Sequence, residues 1–184
     1  MIRALLAVLL IGFGIQAQGA HLIAGAHDAK AQVLIYGDLQ CPYTAKVMTY
    51  LDAMKAEYGS RIGVLYGQFP LAFHKEGKPS AIAAACAGFQ GEFAPFIAAA
   101  FAGQKSLSRA FYLATAQSVG VKDLGAFATC LESPEAAALV EADMAAGTAI
   151  GVTSTPNIFV NGQLIKGAYP YEQFKAAIDK ALAN

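Results

Sequence analysis

The residue best suited to chemistry is a cysteine that lies where a strand should give way to a helix. Cys41 begins the tetrapeptide Cys41-Pro42-Tyr43-Thr44. Proline suits the first turn of a helix, because the N–H that it lacks would have no helical partner there. Unpaired N–H groups and the dipole at a helix start favour an anion, and the thiolate is the form of cysteine that attacks disulfides. We therefore expect Cys41 to be a nucleophile rather than an inert buried cysteine.

A second candidate is the dipeptide Thr155-Pro156, which directly precedes a predicted strand. Bonds to proline adopt the cis form far more readily than other peptide bonds, and a cis proline in a folded protein usually lies in a tight turn. A trans proline that opens a strand fits the same residues. The residues alone leave both conformations open.

The other cysteines and the histidines offer less. The chain has three cysteines, Cys41, Cys86 and Cys130, and an odd number leaves at least one thiol without an internal partner. His74 has no carboxylate or thiol at ligand spacing, and a metal site needs three or four converging ligands. We therefore predict no metal site and no organic cofactor, and we expect His74 to be a surface or capping residue.

The elements around Cys41 follow from the pattern of apolar residues. Residues 32–36 are a β-branched and aromatic run, typical of a buried strand. A helix should follow over residues 42–58 and end at Gly59. Residues 61–69 read as a second strand, closed by Pro70.

The rest of the chain returns to strands only near its end. An alanine-rich section at about residues 79–147 predicts three or four helices, one of them capped by Asp123. Strands should then occupy residues 157–160 and 163–166, with Asn161-Gly162 as a hairpin turn between them. An amphipathic helix over residues 171–182 closes the chain. This order predicts an α/β sheet with a helical insertion.

The N-terminal segment has the features of a signal peptide. Arg3 supplies a positive charge, and residues 4–15 form an apolar run that is shorter than the roughly 20 residues of a membrane-spanning helix. Small residues follow, so cleavage after Ala17 or Gly19 fits; an uncleaved membrane anchor is the alternative. We expect residues 1–20 to be removed on export to the periplasm or another extracytoplasmic compartment, with residues 21–31 as an N-terminal extension.

Length and charge limit the remaining possibilities. The 184 residues carry 13 basic and 13 acidic side chains, which fits one domain of ordinary size and argues against nucleic acid as a partner. The apolar stretch over residues 81–101 contains Gln90, Glu92 and Pro95. A buried helix pair explains it better than a membrane span, so no stable span is expected after signal cleavage.

Five segments, taken in order, resemble the DsbA-like thiol–disulfide oxidoreductases of the thioredoxin superfamily: GDLQCPYT, FPLAFH, CAGFQGEF, TCLES and GVTSTPNIFVNG. The resemblance covers the chain from residue 32 to its end. It implies a thioredoxin fold with an α-helical domain inserted at about residues 79–147. It also implies that Cys41 is the nucleophile, and that Thr155-Pro156 is a cis-proline loop beside Cys41 whose backbone pairs with a bound peptide.

The sequence departs from that family at two positions. The family motif is Cys-Pro-X-Cys, and Thr44 replaces its second cysteine. Relatives carry a buried acidic residue six positions before the nucleophile, where this chain has Ile35; Asp38 is nearer in sequence. Without a thiol at position 44, Cys41 cannot form the usual disulfide with its neighbour. A mixed disulfide at Cys41 must then be released by the substrate, by glutathione or by a partner protein.

The resemblance also makes a structural disulfide between Cys86 and Cys130 the favoured interpretation of the helical section. Two free buried cysteines are the alternative, since cysteine is a common core residue. A further alternative has one of the two resolve Cys41 from across the domain boundary.

Together, these features predict an enzyme: a thiol–disulfide oxidoreductase that acts through Cys41 by monothiol exchange or isomerisation of protein or glutathione disulfides. Cys41-Pro42-Tyr43-Thr44 is the predicted catalytic segment, with Thr44 a hydrogen-bond candidate for the sulfur, and Thr155 and Pro156 bind the substrate. The expected partners are proteins with cysteines, and glutathione or a redox partner protein. Two alternatives stand beside this prediction: a redox-inactive peptide-binding or chaperone-like module, and a glutathione-dependent transferase or isomerase.

Overall fold

The computed structural model describes residues 20–184, so residues 1–19 of the predicted signal peptide lie outside the described part. In this part, five strands form one mixed sheet in the order β1-β3-β2-β4-β5, accompanied by eight α-helices. The strands are β1 His21–Gly25, β2 Ala31–Gly37, β3 Ile62–Gln68, β4 Asn157–Val160 and β5 Gln163–Lys166. The helices are α1 Pro42–Met48, α2 Leu51–Tyr58, α3 Gly77–Gly88, α4 Phe93–Ala102, α5 Arg109–Ser118, α6 Leu124–Cys130, α7 Pro134–Ala149 and α8 Tyr171–Ala183.

Strand β2 lies at the centre of the sheet and leads into Cys41. It runs parallel to β3, with Ile35 beside Tyr66, and antiparallel to β4, with Ile35 beside Ile158. All residues of β2 except Gln32 are buried. A near-continuous apolar run is what a strand covered on both faces requires. The predicted strands and the final hairpin are confirmed, and Asn161 and Gly162 adopt positive φ angles of 45° and 84° in the turn.

Strand β1 was not identified from the sequence, where its residues belonged to the N-terminal extension. It pairs antiparallel with β3 and has a register shift between Leu22 and Ala24. Gly25 ends the strand at φ 76°, and a Cβ atom there would lie 1.9 Å from the carbonyl oxygen of Ile62, so only glycine fits. His21 stacks on Phe93 with ring centroids 3.9 Å apart, and burial lowers its pKa.

The single helix predicted over residues 42–58 is wrong in one respect, because it is divided into α1 and α2. The break falls at Thr49 and Tyr50, where the hydroxyl of Thr49 donates to the carbonyl of Lys46 at 2.7 Å. Such a bond from a threonine side chain back to its own helix competes with the regular ladder and bends the helix. Val47 and Met54 are still buried on either side of the break.

The helical insertion contains five α-helices, α3 to α7, where three or four were predicted. The additional helix arises because Pro134 opens α7 soon after α6 ends, with the hydroxyl of Ser133 accepting from the N–H of Ala136. Asp123 caps α6 as predicted and accepts from Ala126 at 2.8 Å. Among residues 20–184, no helix combines the length and apolar character needed to cross a membrane.

Candidate active site

Cys41 occupies the N-cap position of α1, directly after β2, with extended backbone angles. Its thiol is free, and only 3% of the residue is exposed. The sulfur lies 3.5 Å from the carbonyl oxygen of Thr155 and donates to it. The bond between Thr155 and Pro156 is cis. The fold therefore brings together the two segments that the sequence analysis selected, although they are 114 residues apart in the chain.

Asp38 accepts hydrogen bonds from the N–H groups of both Gln40 and Cys41. The N–H of Cys41 donates to the carbonyl of Asp38 at 3.0 Å. The N–H of Gln40 donates to Asp38 Oδ1 at 2.7 Å. The Asp38 side chain is completely buried, and a buried carboxylate that accepts charge-assisted hydrogen bonds is a strong anchor. We refer to residues 38–44 as the Cys41 turn.

The second oxygen of Asp38 carries a contact that the sequence analysis missed. His74 Nδ1 lies 2.7 Å from Asp38 Oδ2, and the N–H of Leu71 donates to the same oxygen at 2.7 Å. His74 is therefore paired with a carboxylate, not a lone surface or capping residue. No spacing signal could reveal this pair, because its members are 36 residues apart and meet only when the segment after β3 folds against the turn.

Thr44 and Tyr43, the last two residues of the tetrapeptide, lie in opposite surroundings. Thr44 is completely buried, and its hydroxyl accepts from the N–H of Asp38 at 3.4 Å. The sulfur of Cys41 is instead hydrogen-bonded to Thr155, so Thr44 is not the partner of the sulfur. Tyr43 is 65% exposed, two residues after Cys41 in the chain.

Position 35, where relatives carry an acidic residue, is the buried Ile35 in this chain. A buried polar group comes instead from the neighbouring strand β3, where Tyr66 lies beside Ile35. The Tyr66 hydroxyl is fully buried and has no hydrogen-bond partner within residues 20–184. Burial, and then the charges of Asp38, Cys41 and Asp143, raise the pKa of Tyr66 well above its ordinary value. This buried phenol therefore stays protonated and neutral at ordinary pH.

Asp143, on α7, is a second buried carboxyl that sequence patterns did not reveal. Only 1% of it is exposed, and its Oδ2 accepts from the N–H of Gln68 at 2.9 Å. Burial raises the pKa of Asp143 to about 7, against a smaller opposing effect of the hydrogen bond from Gln68. This carboxyl joins the helical insertion to the end of β3 and changes its charge near neutral pH.

The helical insertion touches the Cys41 turn through polar side chains. Gln104 Nε2 donates to the carbonyl oxygen of Leu39 at 2.8 Å and to that of Cys41 at 3.0 Å. On the other side, Gln40 Oε1 accepts from the N–H of Glu76 at 2.6 Å. The Glu76 carboxylate in turn accepts from the Tyr112 hydroxyl at 2.7 Å.

Cys86 on α3 and Cys130 on α6 are joined by a disulfide bond, with Cα atoms 5.8 Å apart. They are bonded to each other, so neither is a resolving thiol for Cys41 in this structure. Within residues 20–184, no group of three or more metal-ligating acidic, histidine or cysteine side chains converges.

Comparisons with known proteins agree with this geometry. A family model described as Thioredoxin matches residues 17–180. The structure of oxidised BdbD from Bacillus subtilis superimposes with a TM-score of 0.81 at 22% identity, covering 91% of this chain and 95% of that one. The thiol-disulfide exchange protein alpha-DsbA2 from Wolbachia pipientis gives a TM-score of 0.75 at 15% identity, covering 85% and 84%. These two likenesses confirm the predicted thioredoxin fold with its inserted helical domain.

The curated relatives are much longer proteins. A Na(+)/H(+) antiporter NhaA from Herminiimonas arsenicoxydans is 30% identical over 157 residues, which is 85% of this chain and 25% of the antiporter. The chain thus spans about a quarter of the length of the curated relatives that it matches.

Proposed function

This chain belongs to the thioredoxin family, and on that premise we propose that it is an exported thiol–disulfide oxidoreductase acting through the single thiol of Cys41. One observation carries the proposal. Cys41 has a free thiol at a helix start, against the carbonyl of Thr155, whereas the two other cysteines are bonded to each other. The resident nucleophile is therefore a monothiol.

The first chemical step is attack on a disulfide. The Cys41 thiolate attacks one sulfur of the substrate disulfide and forms a mixed disulfide, and the other substrate sulfur leaves as a thiolate that takes a proton from water. In the thiol form, the proton of Cys41 is shared with the Thr155 carbonyl. Loss of that proton to solvent leaves the anion at the helix start, where it is favoured.

The second step needs a thiol from outside the chain. Thr44 has no sulfur, so the mixed disulfide cannot be resolved within the Cys41 turn. If another cysteine of the same substrate attacks, Cys41 leaves as a thiolate and the substrate disulfide has been isomerised. If glutathione attacks instead, the substrate cysteine becomes glutathionylated and Cys41 is regenerated. Both outcomes conserve the number of disulfide bonds.

The surroundings of the thiol favour an extended polypeptide as the substrate. The segment containing Thr155 and Pro156 leads directly into β4 and faces the sulfur through its backbone carbonyl. A peptide that carries a disulfide can approach this segment while its sulfur meets Cys41, and pair with its backbone as an added strand does. The exposed ring of Tyr43 offers an apolar contact to the same peptide.

Export is supported by the signal-like segment at residues 1–20 and by the disulfide between Cys86 and Cys130. Disulfides persist in the periplasm and other oxidising compartments and are rare in the cytosol. We therefore place the protein outside the cytoplasm. Antiport is not part of the proposal, because the match covers only 25% of the antiporter.

The test is disulfide exchange by the protein without residues 1–20. A small protein with scrambled disulfides and reduced glutathione is incubated with the wild type, with Cys41→Ser and with Thr44→Ser. The wild type and Thr44→Ser should accelerate exchange, and Cys41→Ser should give the background rate. Mass spectrometry of the wild type should reveal the mixed disulfide on Cys41. Exchange by Cys41→Ser at the wild-type rate would disprove the mechanism.

Two observations favour a second candidate, a peptide-binding module without redox turnover. Only 3% of Cys41 is exposed, and the second thiol of the family motif is replaced by the buried Thr44. A peptide without cysteine discriminates the two functions. If it binds Cys41→Ser as tightly as the wild type, and neither protein accelerates exchange, the binding module is the correct reading.

A further inference from the structure

The Cys41 turn is held from two directions by two different parts of the protein. Its N–H groups at Gln40 and Cys41 are bound by Asp38, which belongs to the turn itself. Its carbonyl oxygens at Leu39 and Cys41 are bound by Gln104, which belongs to the helical insertion. The orientation of the turn therefore depends on a side chain more than 60 residues away in the chain, by the separations of 65 and 63 residues in these bonds.

The geometry defines which end of the Gln104 amide faces the turn. Both neighbours are carbonyl oxygens, at 2.8 and 3.0 Å, and carbonyl oxygens only accept hydrogen bonds. The nitrogen must face them, and its two hydrogens serve one carbonyl each. The Cys41 carbonyl also accepts from Ala45 at 3.1 Å, which closes the first turn of α1. Gln104 thus binds the same peptide group that starts the helix.

Pro42 leaves the Gln104 hydrogen bond as one of few ways to fix the peptide group between Cys41 and Pro42. Pro42 follows Cys41 and has no N–H, so the peptide group between them can be held only through its carbonyl. That carbonyl is bound by Gln104 and by Ala45. A second polar link, from Gln40 through the N–H of Glu76, fixes the preceding side chain but not this peptide group.

Gln104 is itself held in place by the insertion. It lies in the short 3₁₀ segment Gln104–Ser106, between the cysteines of the bond from Cys86 to Cys130. The preceding Gly103 is covered by the Phe111 ring, which a Cβ atom there would meet at 2.3 Å. The amide is therefore presented to the turn from a packed surface rather than from a free loop.

We propose that Gln104 is a positioning residue, through which the folded helical insertion sets the reactivity of Cys41. This inference rests on the proposed function for its chemical consequence, but its structural content is independent of it. When the amide holds both carbonyls, the sulfur stays aligned with the helix start and with Thr155. When the amide is absent, the turn rotates more freely and the thiolate loses part of its stabilisation.

The experiment compares Gln104→Met, Gln104→Glu and the matched control Gln117→Met. Gln117 is exposed on α5 of the same insertion and touches nothing in the turn. Iodoacetamide alkylation of Cys41 is followed against pH, and hydrogen–deuterium exchange is followed at the amides of Gln40 and Cys41. Circular dichroism establishes that each variant is folded.

Gln104→Met should lower the rate of Cys41 alkylation at pH 7 about tenfold, because the peptide group after Cys41 loses one of its two hydrogen bonds. Gln104→Glu should slow alkylation further, because its carboxylate faces two carbonyl oxygens and adds negative charge beside the thiolate. Both variants should speed amide exchange in the turn, and Gln117→Met should match the wild type in both measurements.

If both Gln104 variants match Gln117→Met in alkylation and in amide exchange, the positioning role is wrong. If the wild-type thiol reacts no faster than a simple thiol such as cysteine itself, the proposed function is wrong. In that case the exchange data alone decide the inference: faster exchange in the Gln104 variants upholds it, and unchanged exchange overturns it.

Discussion

The two cysteine environments of this protein differ in the backbone that surrounds them. Cys86 lies within α3, 1% exposed, where the helical ladder already uses the backbone N–H and carbonyl groups. Cys41 lies at a junction between strand and helix, where N–H groups at the helix start have no helical partner. A thiolate can be stabilised at the junction and not inside the helix. The same residue type is therefore a structural link in one region and the nucleophile of the proposed mechanism in the other.

The two regions also differ in what holds them together. The Cys41 turn is held by hydrogen bonds, from Asp38, His74, Thr155 and Gln104. The helices around the disulfide are held by apolar packing, such as the contact of Phe96 with Phe127 at 6.0 Å between ring centroids. Substitutions in the turn should therefore change chemistry more than stability, and substitutions at the disulfide should do the reverse.

The largest expected effect is a change in the kind of reaction. Thr44→Cys places a second thiol three residues after Cys41, on the same face of the first helical turn. The pair can form its own disulfide, so the variant should oxidise a dithiol peptide without glutathione, whereas the wild type should not. The measurement is loss of peptide thiols after the variant has been oxidised and freed of oxidant. Thr44→Ser is the control, and a variant that stays inert would show that the buried side chain cannot reach the sulfur.

The next effect concerns stability alone. The bond from Cys86 to Cys130 closes a segment with a sequence separation of 44, and its removal should lower the free energy of unfolding by about 4 kcal/mol on the entropic model. Urea unfolding of Cys86→Ala combined with Cys130→Ala measures this loss. Wild-type protein unfolded in the presence of a reductant should show a similar loss. Alkylation of Cys41 in the folded double variant should be unchanged, and a large fall would mean that the disulfide itself is needed to place Gln104 against the turn.

Asp143, which joins the helical insertion to the end of β3, predicts a pH dependence of stability. Its folded pKa is raised from 3.8 to about 7, so the folded protein keeps a proton that the unfolded chain releases. This contribution to stability is complete below about pH 4 and is lost as the pH rises through 7. Asp143→Asn cannot ionise, so it avoids burying a charge at high pH and should be more stable than the wild type by roughly 2–4 kcal/mol at pH 8.

At pH 4 the two proteins should unfold at nearly the same urea concentration. Glu141→Gln is the control on the same helix, because Glu141 is exposed and paired with Lys78 at the surface. A constant difference between Asp143→Asn and the wild type from pH 4 to 8 would show that this carboxyl does not titrate in that range.

The smallest expected effect tests the histidine of the turn. His74→Ala removes one partner of the buried Asp38 carboxylate and should cost about 1–3 kcal/mol, as loss of a hydrogen bond to a charged group does. His74→Asn can still donate to Asp38 and should recover part of the loss. Thermal unfolding of the three proteins measures this order, which fails if both variants match the wild type.

Much of the fold could be predicted from local patterns. The central strand, the hairpin at Asn161 and Gly162, and the cap at Asp123 each depend on a few consecutive residues. Strand β1 could not, because His21–Gly25 has no strong alternation and is a strand only through pairing with β3. The break at Thr49 escaped detection for a similar reason, since the apolar spacing continues across it.

The residues of the candidate site also differ in whether local sequence could reveal them. Cys41 and Thr155-Pro156 could be found because each is a short motif with its own chemistry. His74, Gln104 and Asp143 could not, because each acquires its role from a contact made across the fold. A polar residue in an alanine-rich section carries no local sign of the partner that it will meet.

The disulfide between Cys86 and Cys130 also determines what the newly synthesised chain needs in order to mature. Joining two thiols requires the removal of two electrons, and a lone Cys41 that only exchanges disulfides cannot accept them in net. The newly made chain must therefore receive its own bond from another oxidant. Until that bond has formed, the same oxidant can also join Cys41 to either of the two unpaired cysteines. On the proposed function, a protein that rearranges the disulfides of others first depends on a separate oxidant for its own.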